Sequence, residues 1–365
     1  MSKLGELAKL GQSIWLDTIS RSLIDSGKLK ELVDKGLRGM TSNPAIFEKA
    51  IDESSNYDDA LRELANADKS TAEIYETLTI KDVGDAADLM REVYDSTDGL
   101  DGYVSLEVNP ELANDTEGTI KEARHLFHKL NRPNVFIKVP ATPAGIPAIT
   151  TLIGEGININ VTLIFSIKQY EDAANAYIAG LEKLAKSGGN IGRVSSVASF
   201  FLSRIDSAVD KELDKIGNTE LQGKIAIASA KTAYASFLKI FGGARWESLK
   251  SDGARVQRPL WASTSTKNPD YPDTLYVDNL IGLHTVNTLP MSTLEAFLDH
   301  GVAKPTLKDG MSDAKKQIDE LSTLGVDLDA ITQKLLDDGV EAFVKPFEKL
   351  LGCIDKKSKG LICDR

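Results

Sequence analysis

The chain has 365 residues, 42% of them hydrophobic and 27% charged, with 43 Lys and Arg set against 54 Asp and Glu. A net charge of −11 lacks the basic footprint of a nucleic-acid binder, and no apolar run reaches the ~20 residues that a bilayer span needs. What is left is a globular chain, long enough for two domains or for one large α/β barrel.

The opening stretch MSKLGELAKLGQ has no apolar core of the signal-peptide kind. β-like runs then alternate with helical segments. SIWLDT (13–18) and LRGMTS (37–42) come first, and residues 44–97 read as several helices. Part of that stretch, about 50–98, is expected to be an insertion, read first as a helical cap, with a lid as the alternative. YVSLEV (103–108) and VFIKVP (135–140) follow, then INVTLIF (159–165) and VSSVASFF (194–201). RPLWAST (258–264) and TLYVDNLI (274–281) complete eight strands. Between them, Thr142 is expected to cap a helix whose first residue is Pro143. Ser166 and Gln169 have capping-box spacing, and residues 203–241 read as two helices. His125 and His128 share a polar helix and read as a solvated face, since no HExxH or Cys/His cluster accompanies them. SGGNIGR (187–193) precedes a strand instead of following one, so it reads as a loop and not as a nucleotide-binding turn.

Eight strands alternating with helices imply a parallel sheet and suit a closed (β/α)8 TIM barrel. The expected organisation is a barrel over residues 1–300, with inserted helices, and a C-terminal helical extension over 301–365 packed on it. The last dozen residues, around DKKSKGLICDR, are expected to fray. Both cysteines, Cys353 and Cys363, lie in this tail, so no disulfide framework is expected and a reducing compartment is the default. Cytoplasm is the expected setting, and a processed plastid protein would read the same way.

Strand side chains alternate between two faces. Lys138 opposes Ile137 and Val139, Glu107 opposes Leu106 and Val108, and Asp17 opposes Leu16. Asn160 and Thr162 oppose Ile159, Val161 and Leu163, and Ser199 shares the face of Val197 and Phe201. In a barrel the aliphatic face covers the helices, so these polar groups line the interior, late in their strands and near the C-terminal mouth where barrel active sites lie. A lysine among apolar walls is desolvated, which favours the neutral amine. A neutral amine can form a Schiff base with a carbonyl substrate, and that chemistry needs acids and bases for the carbinolamine and the substrate hydroxyls. Glu107 and Asp17 suit two such roles, and Asn43, Asn160, Thr162 and Ser199 suit hydroxyls or a water. The alternative is structural, with Asp17 and Glu107 merely neutralising Lys138 as a buried ion pair.

WLDTIS, GMTSNPAIF, VSLEVNP, FIKVPAT, EGININVTLIFS, VASFFLSRID and RPLWASTSTKNP together resemble the transaldolase family, most of all its longer bacterial and plant-type branch. The resemblance runs from about residue 10 to 300, one motif per strand. It implies a class I aldolase-type barrel that moves a dihydroxyacetone unit between sugar phosphates and needs neither metal nor cofactor. The phosphates are sedoheptulose 7-phosphate and glyceraldehyde 3-phosphate, exchanged for fructose 6-phosphate and erythrose 4-phosphate. By the same resemblance Lys138 is the Schiff-base lysine, and Glu107 is an acid/base acting through a water. Asp17 handles the hydroxyl proton at the cleaved bond. Asn43, Asn160 and Thr162 hold hydroxyls or the water, Ser199 touches substrate, and Arg204 binds phosphate. An ordinary helix-terminus ion pair is the alternative for Arg204.

Where many members have a second arginine after the seventh strand, this chain has ASTSTKNP, so Lys267 with Ser263 or Ser265 is expected to supply that contact. A rival is the shorter fructose-6-phosphate aldolase, which releases free dihydroxyacetone and tends to carry glutamine at Glu107 and tyrosine at Phe201. A non-catalytic phosphosugar-binding barrel is a second rival. The expected partners are sugar phosphates, with no nucleic acid and no membrane, and monomer and homodimer are both left open.

Overall fold

A computed structural model describes residues 2–363, with side chains through residue 361. Eight parallel strands close into a barrel in chain order. They are β1 (Gln12–Leu16), β2 (Gly39–Met40), β3 (Tyr103–Glu107), β4 (Val135–Pro140), β5 (Ile159–Ile164), β6 (Ser196–Phe201), β7 (Arg258–Ala262) and β8 (Thr285–Leu289). β1 pairs with both β2 and β8, which seals the circle. Every strand residue is buried, as parallel strands covered on both faces require.

The eighth strand lies later than the sequence pattern indicates. Residues 274–281 form a turn of helix, Leu275–Asp278, and the strand is TVNTL. Local hydrogen bonds outweigh the apolar run. The Thr274 hydroxyl donates to Asp278, and the Asn279 amide donates to the Leu275 carbonyl. Tyr276, Val277, Leu280 and Ile281 are buried all the same, so the run packs as a buried connection. β2 is also shorter than LRGMTS suggests.

The inward face carries an aromatic layer below the polar one. Phe136 stacks on Tyr103 at 4.3 Å and on Trp15 at 5.9 Å between ring centroids. Gly39 makes room for it, because a Cβ there would lie 2.6 Å from the Trp15 indole. At the N-terminal end the Arg258 guanidinium donates to Asp101 and Ser13 at 2.9 Å each. This buried pair and the aromatic layer close the bottom of the barrel, so only the C-terminal end is open to chemistry.

Four helices between Pro44 and Ser96 connect β2 to β3. Ser166 and Gln169 form the expected capping box. Thr142 does accept a helix N–H, that of Gly145 at 2.9 Å. The helix itself starts at Gly145, so Pro143 lies in the turn ahead of it and not at its first position. After β8 come helices Met291–His300, Met311–Thr323 and Leu328–Cys363. The last does not fray over its final dozen residues: it is helical through Cys363. Ile354 and Ser358 are buried, and the Lys357 ammonium donates to the Ile51 and Ser54 carbonyls at 2.6 and 3.1 Å. Residues 364 and 365 lie outside the described residues. No helix among the described residues is long and apolar enough to cross a membrane.

Candidate active site

The barrel register sets the core of the site. Glu107 on β3 pairs with Lys138 on β4, and Lys138 pairs with Asn160 on β5. The three side chains therefore project from one level into the barrel. Lys138 and Glu107 are only 5% and 6% exposed. The Lys138 ammonium donates to the Ser42 carbonyl at 2.9 Å and to Glu107 at 3.3 Å. The Ser42 carbonyl is in place because its hydroxyl donates to the Ser105 carbonyl on β3 at 2.6 Å. Burial pushes the Glu107 carboxyl up, the Lys138 charge opposes this, and the nearby Asp17 charge adds to it.

Asp17 follows β1 directly and is held by the Thr41 hydroxyl, which donates to it at 2.7 Å. Thr41 also lies 2.9 Å from the Thr288 hydroxyl of β8. Desolvation pushes the Asp17 carboxyl up, offset by the Thr41 bond and by the charges of Lys138 and Lys267. Two carboxyls raised in this way keep protons at higher pH than free ones, which is a property of acid/base groups.

A cavity of about 110 Å³ opens above them. Asp17, Asn43, Lys138, Thr162, Ser199, Arg204 and Ser263 all line it, together with Thr41, Thr288, Phe201, Ala262 and Phe343. The Thr162 hydroxyl is buried without a hydrogen-bond partner among the described residues. A β-bulge in β5, with Leu163 at φ +58°, immediately follows it. Such strain in a β-branched-rich buried strand is uncommon and concentrates at functional positions. Ser199 donates to the Asn160 amide oxygen at 2.7 Å, and the Asn160 nitrogen donates to Ser105 at 3.1 Å. Asn160 is fully buried and lies beneath the lining, where it orients Ser199. Asn43 caps helix Pro44–Asp52 by accepting the Ile46 N–H at 3.0 Å.

Arg204, in the first turn of helix Ser203–Lys215, has its guanidinium carbon 5.7 Å from the Phe201 ring centre. Desolvation lowers its pKa, and it forms no salt bridge among the described residues, so the ion-pair alternative has no counterpart here. A positive side chain at a helix N-terminus is a ready anion site. Ser263, at φ +54°, lies 2.8 Å from the Ser203 hydroxyl. Lys267 is apart from the others. It is exposed, donates to Ser265 at 2.9 Å, and stands outside the cavity lining.

Sequence reasoning assigned no role to Thr41, Thr288 or Phe343. Thr41 lies inside the quoted stretch GMTSNPAIF and alternates with Gly39 toward the interior, so strand parity could have found it. Phe343 comes from helix Leu328–Cys363, and nothing in its local pattern separates it from any other buried helix residue.

The sequence profile of the family described as Transaldolase/Fructose-6-phosphate aldolase matches residues 14–354. Among curated proteins, the chain is 47% identical to a transaldolase of Trichodesmium erythraeum, over 98% of this chain and 97% of that one. It is 48% identical to a transaldolase of Acidothermus cellulolyticus, over 97% and 96%. A transaldolase of Thermobifida fusca is 47% identical, over 96% of each chain.

Proposed function

The chain belongs to the transaldolase/fructose-6-phosphate aldolase family, and we propose that it is a transaldolase of the non-oxidative pentose phosphate pathway. Its donor is sedoheptulose 7-phosphate or fructose 6-phosphate, and its acceptor is glyceraldehyde 3-phosphate or erythrose 4-phosphate. The observation that carries this reading is the buried Lys138, in contact with Glu107 at 3.3 Å and sharing the lining of one small cavity with Asp17.

Lys138, as the free amine, attacks the C2 carbonyl of the ketose. Glu107, whose carboxyl burial makes a better proton acceptor, takes and returns the protons that turn the carbinolamine into an iminium and release water. The unpartnered Thr162 hydroxyl is suited to hold that water. Asp17 then accepts the proton of the C4 hydroxyl while the C3–C4 bond breaks, and the bonding electrons pass into the iminium to give an enamine. The aldose phosphate leaves. An acceptor aldehyde takes its place, the enamine carbon attacks it, and Asp17 returns the proton to the new hydroxyl. Hydrolysis of the new iminium frees the product and the lysine.

Asn43 and Ser199 hold sugar hydroxyls, with Asn160 fixing Ser199. Arg204 receives the phosphate, supported by its position on the cavity wall and by its having no salt bridge among the described residues. Ser263 assists from the facing loop, and Lys267 adds a positive charge at the rim. The domain reading is a barrel over 1–300 with residues 301–365 as an extension. A cytoplasmic setting is supported by the bacterial relatives.

The test separates the two activities named in the family. The chain is incubated with fructose 6-phosphate, with and without erythrose 4-phosphate. Sedoheptulose 7-phosphate formed only with the acceptor is expected. Rapid free dihydroxyacetone without the acceptor identifies the aldolase instead.

A further inference from the structure

We infer that Phe343 is a specificity-determining residue, an apolar cover that directs the three-carbon fragment on Lys138 to an acceptor sugar and away from water. The inference rests on the Schiff-base reading of Lys138.

Most of the cavity lining is polar and comes from the strands and the loops that follow them. Phe201 and Ala262 are apolar as well but end strands β6 and β7, whereas Phe343 is apolar and arrives from helix Leu328–Cys363. Its ring centre is 5.6 Å from the Lys138 nitrogen, and the residue is 5% exposed. Its helix has other anchors on either side. One turn earlier, a Cβ on Gly339 would be 3.3 and 3.4 Å from Leu163 and Phe165, so the bare backbone seats the helix on the end of β5. One turn later, Phe347 packs edge-on against Tyr75 at 5.3 Å. Lys357 ties the far end to the carbonyls of Ile51 and Ser54. The helix is clamped on either side of Phe343, and the ring between the clamps is spent on the cavity.

The ring has two consequences there. Its face lies within the ~6 Å over which an aromatic ring attracts a cation, so it favours the charged iminium on the same nitrogen. It also occupies space where water would approach. After C3–C4 cleavage the enamine has two fates. In transfer, its nucleophilic carbon attacks an aldehyde. In release, that carbon takes a proton, water adds to C2 of the resulting iminium, the C2–Nζ bond breaks, and dihydroxyacetone departs while the amine is restored. Both fates end in hydrolysis at C2, but only in release does water act on the three-carbon fragment itself, so keeping water from that fragment favours transfer. At about 110 Å³ the space over Lys138 falls below the ~300 Å³ at the low end for ligand pockets. It encloses the fragment and leaves the rest of the sugar in the mouth.

The experiment uses Phe343→Ala in the full chain. Dihydroxyacetone is measured with fructose 6-phosphate alone, and sedoheptulose 7-phosphate with erythrose 4-phosphate added. The ratio of release to transfer is expected to rise about tenfold or more, because the enamine is then open to water. A folded variant with the parental ratio, including one in which both rates fall together, overturns the inference. Should the alanine variant not fold, Phe343→Val carries the same expectation and the same refutation. Borohydride trapping with fructose 6-phosphate on the parent chain keeps the two readings apart. No adduct on Lys138 removes the Schiff-base reading itself, whereas an adduct with an unchanged ratio removes only the role of Phe343.

Discussion

Lys138 is a paired group, and this alters what its removal does. A lone buried amine would be cheap to delete. Here deletion strips the Glu107 carboxyl of its only hydrogen bond among the described residues and of the charge that opposes its raised pKa. A carboxyl raised in the folded state stabilises below its unfolded pKa and loses that contribution as pH rises through the folded value. Lys138→Ala is therefore expected to abolish turnover and still fold, with a stability deficit that grows between about pH 5 and about pH 8, to the order of 3 kcal/mol. Urea midpoints at the two pH values check this, and a deficit that shrinks with pH would contradict the pairing. The two carboxylates are expected to fail differently, each by about 10²- to 10⁴-fold in rate. Glu107→Gln should slow formation of the borohydride-trappable adduct. Asp17→Asn should leave the adduct and block cleavage, so single-turnover trapping with fructose 6-phosphate separates them. Of the residues in this site, Lys138, Glu107 and Asp17 were legible because strand parity gives a side chain's direction. The depth of Asn160 and the rim position of Lys267 were not, since these depend on stacking and loop course.

Two element-level devices hold the site in place. Gly39 lets β2 approach the Trp15 indole, and Trp15 lies two residues before Asp17. Gly39→Ala overpacks this layer, at about 1–3 kcal/mol, and should displace Asp17. Lower thermal stability together with reduced cleavage is the expected result, and full activity would argue that the layer does not position Asp17. The second device joins helix Ser203–Lys215, which carries Arg204, to the loop after β7, which carries Ser263. Tyr276 donates to Asp206 at 2.8 Å and Tyr271 to Asp210 at 2.7 Å. Burial pushes the Asp206 carboxyl up to about 7, so its stabilising contribution is complete below about pH 4 and lost as pH rises through about 7. Asn at this position stays neutral throughout. The stability of Asp206→Asn relative to the parent is therefore expected to improve from about pH 5 to about pH 8, by a few kcal/mol at most. Calorimetry across that range checks the sign. Neither Tyr–Asp contact is readable from the sequence: Tyr276 falls inside the run 274–281, which reads as a strand, and Tyr271 lies in the loop ahead of it, where the pattern gives no direction.

At the scale of the whole molecule, the closed barrel followed from simple alternation. The β-like runs were short and apolar and alternated with helical segments, and parallel strands need such crossovers. The exception, 274–281, shows the limit of that reasoning. A buried apolar run can be a connection as readily as a strand, and local side-chain bonds decide which. The course of helix Leu328–Cys363 over the mouth was equally hidden, since the sequence pattern marks an amphipathic helix but not the surface that receives it. The central claim is that the barrel, its closed floor and this covering helix together serve a covalent intermediate on one lysine. The most direct measurement is borohydride reduction of the chain with fructose 6-phosphate, followed by peptide mass mapping. A reduced three-carbon adduct on Lys138, absent from Lys138→Ala, is the predicted result. No adduct in a folded chain that binds the sugar, or an adduct on another lysine, would contradict it.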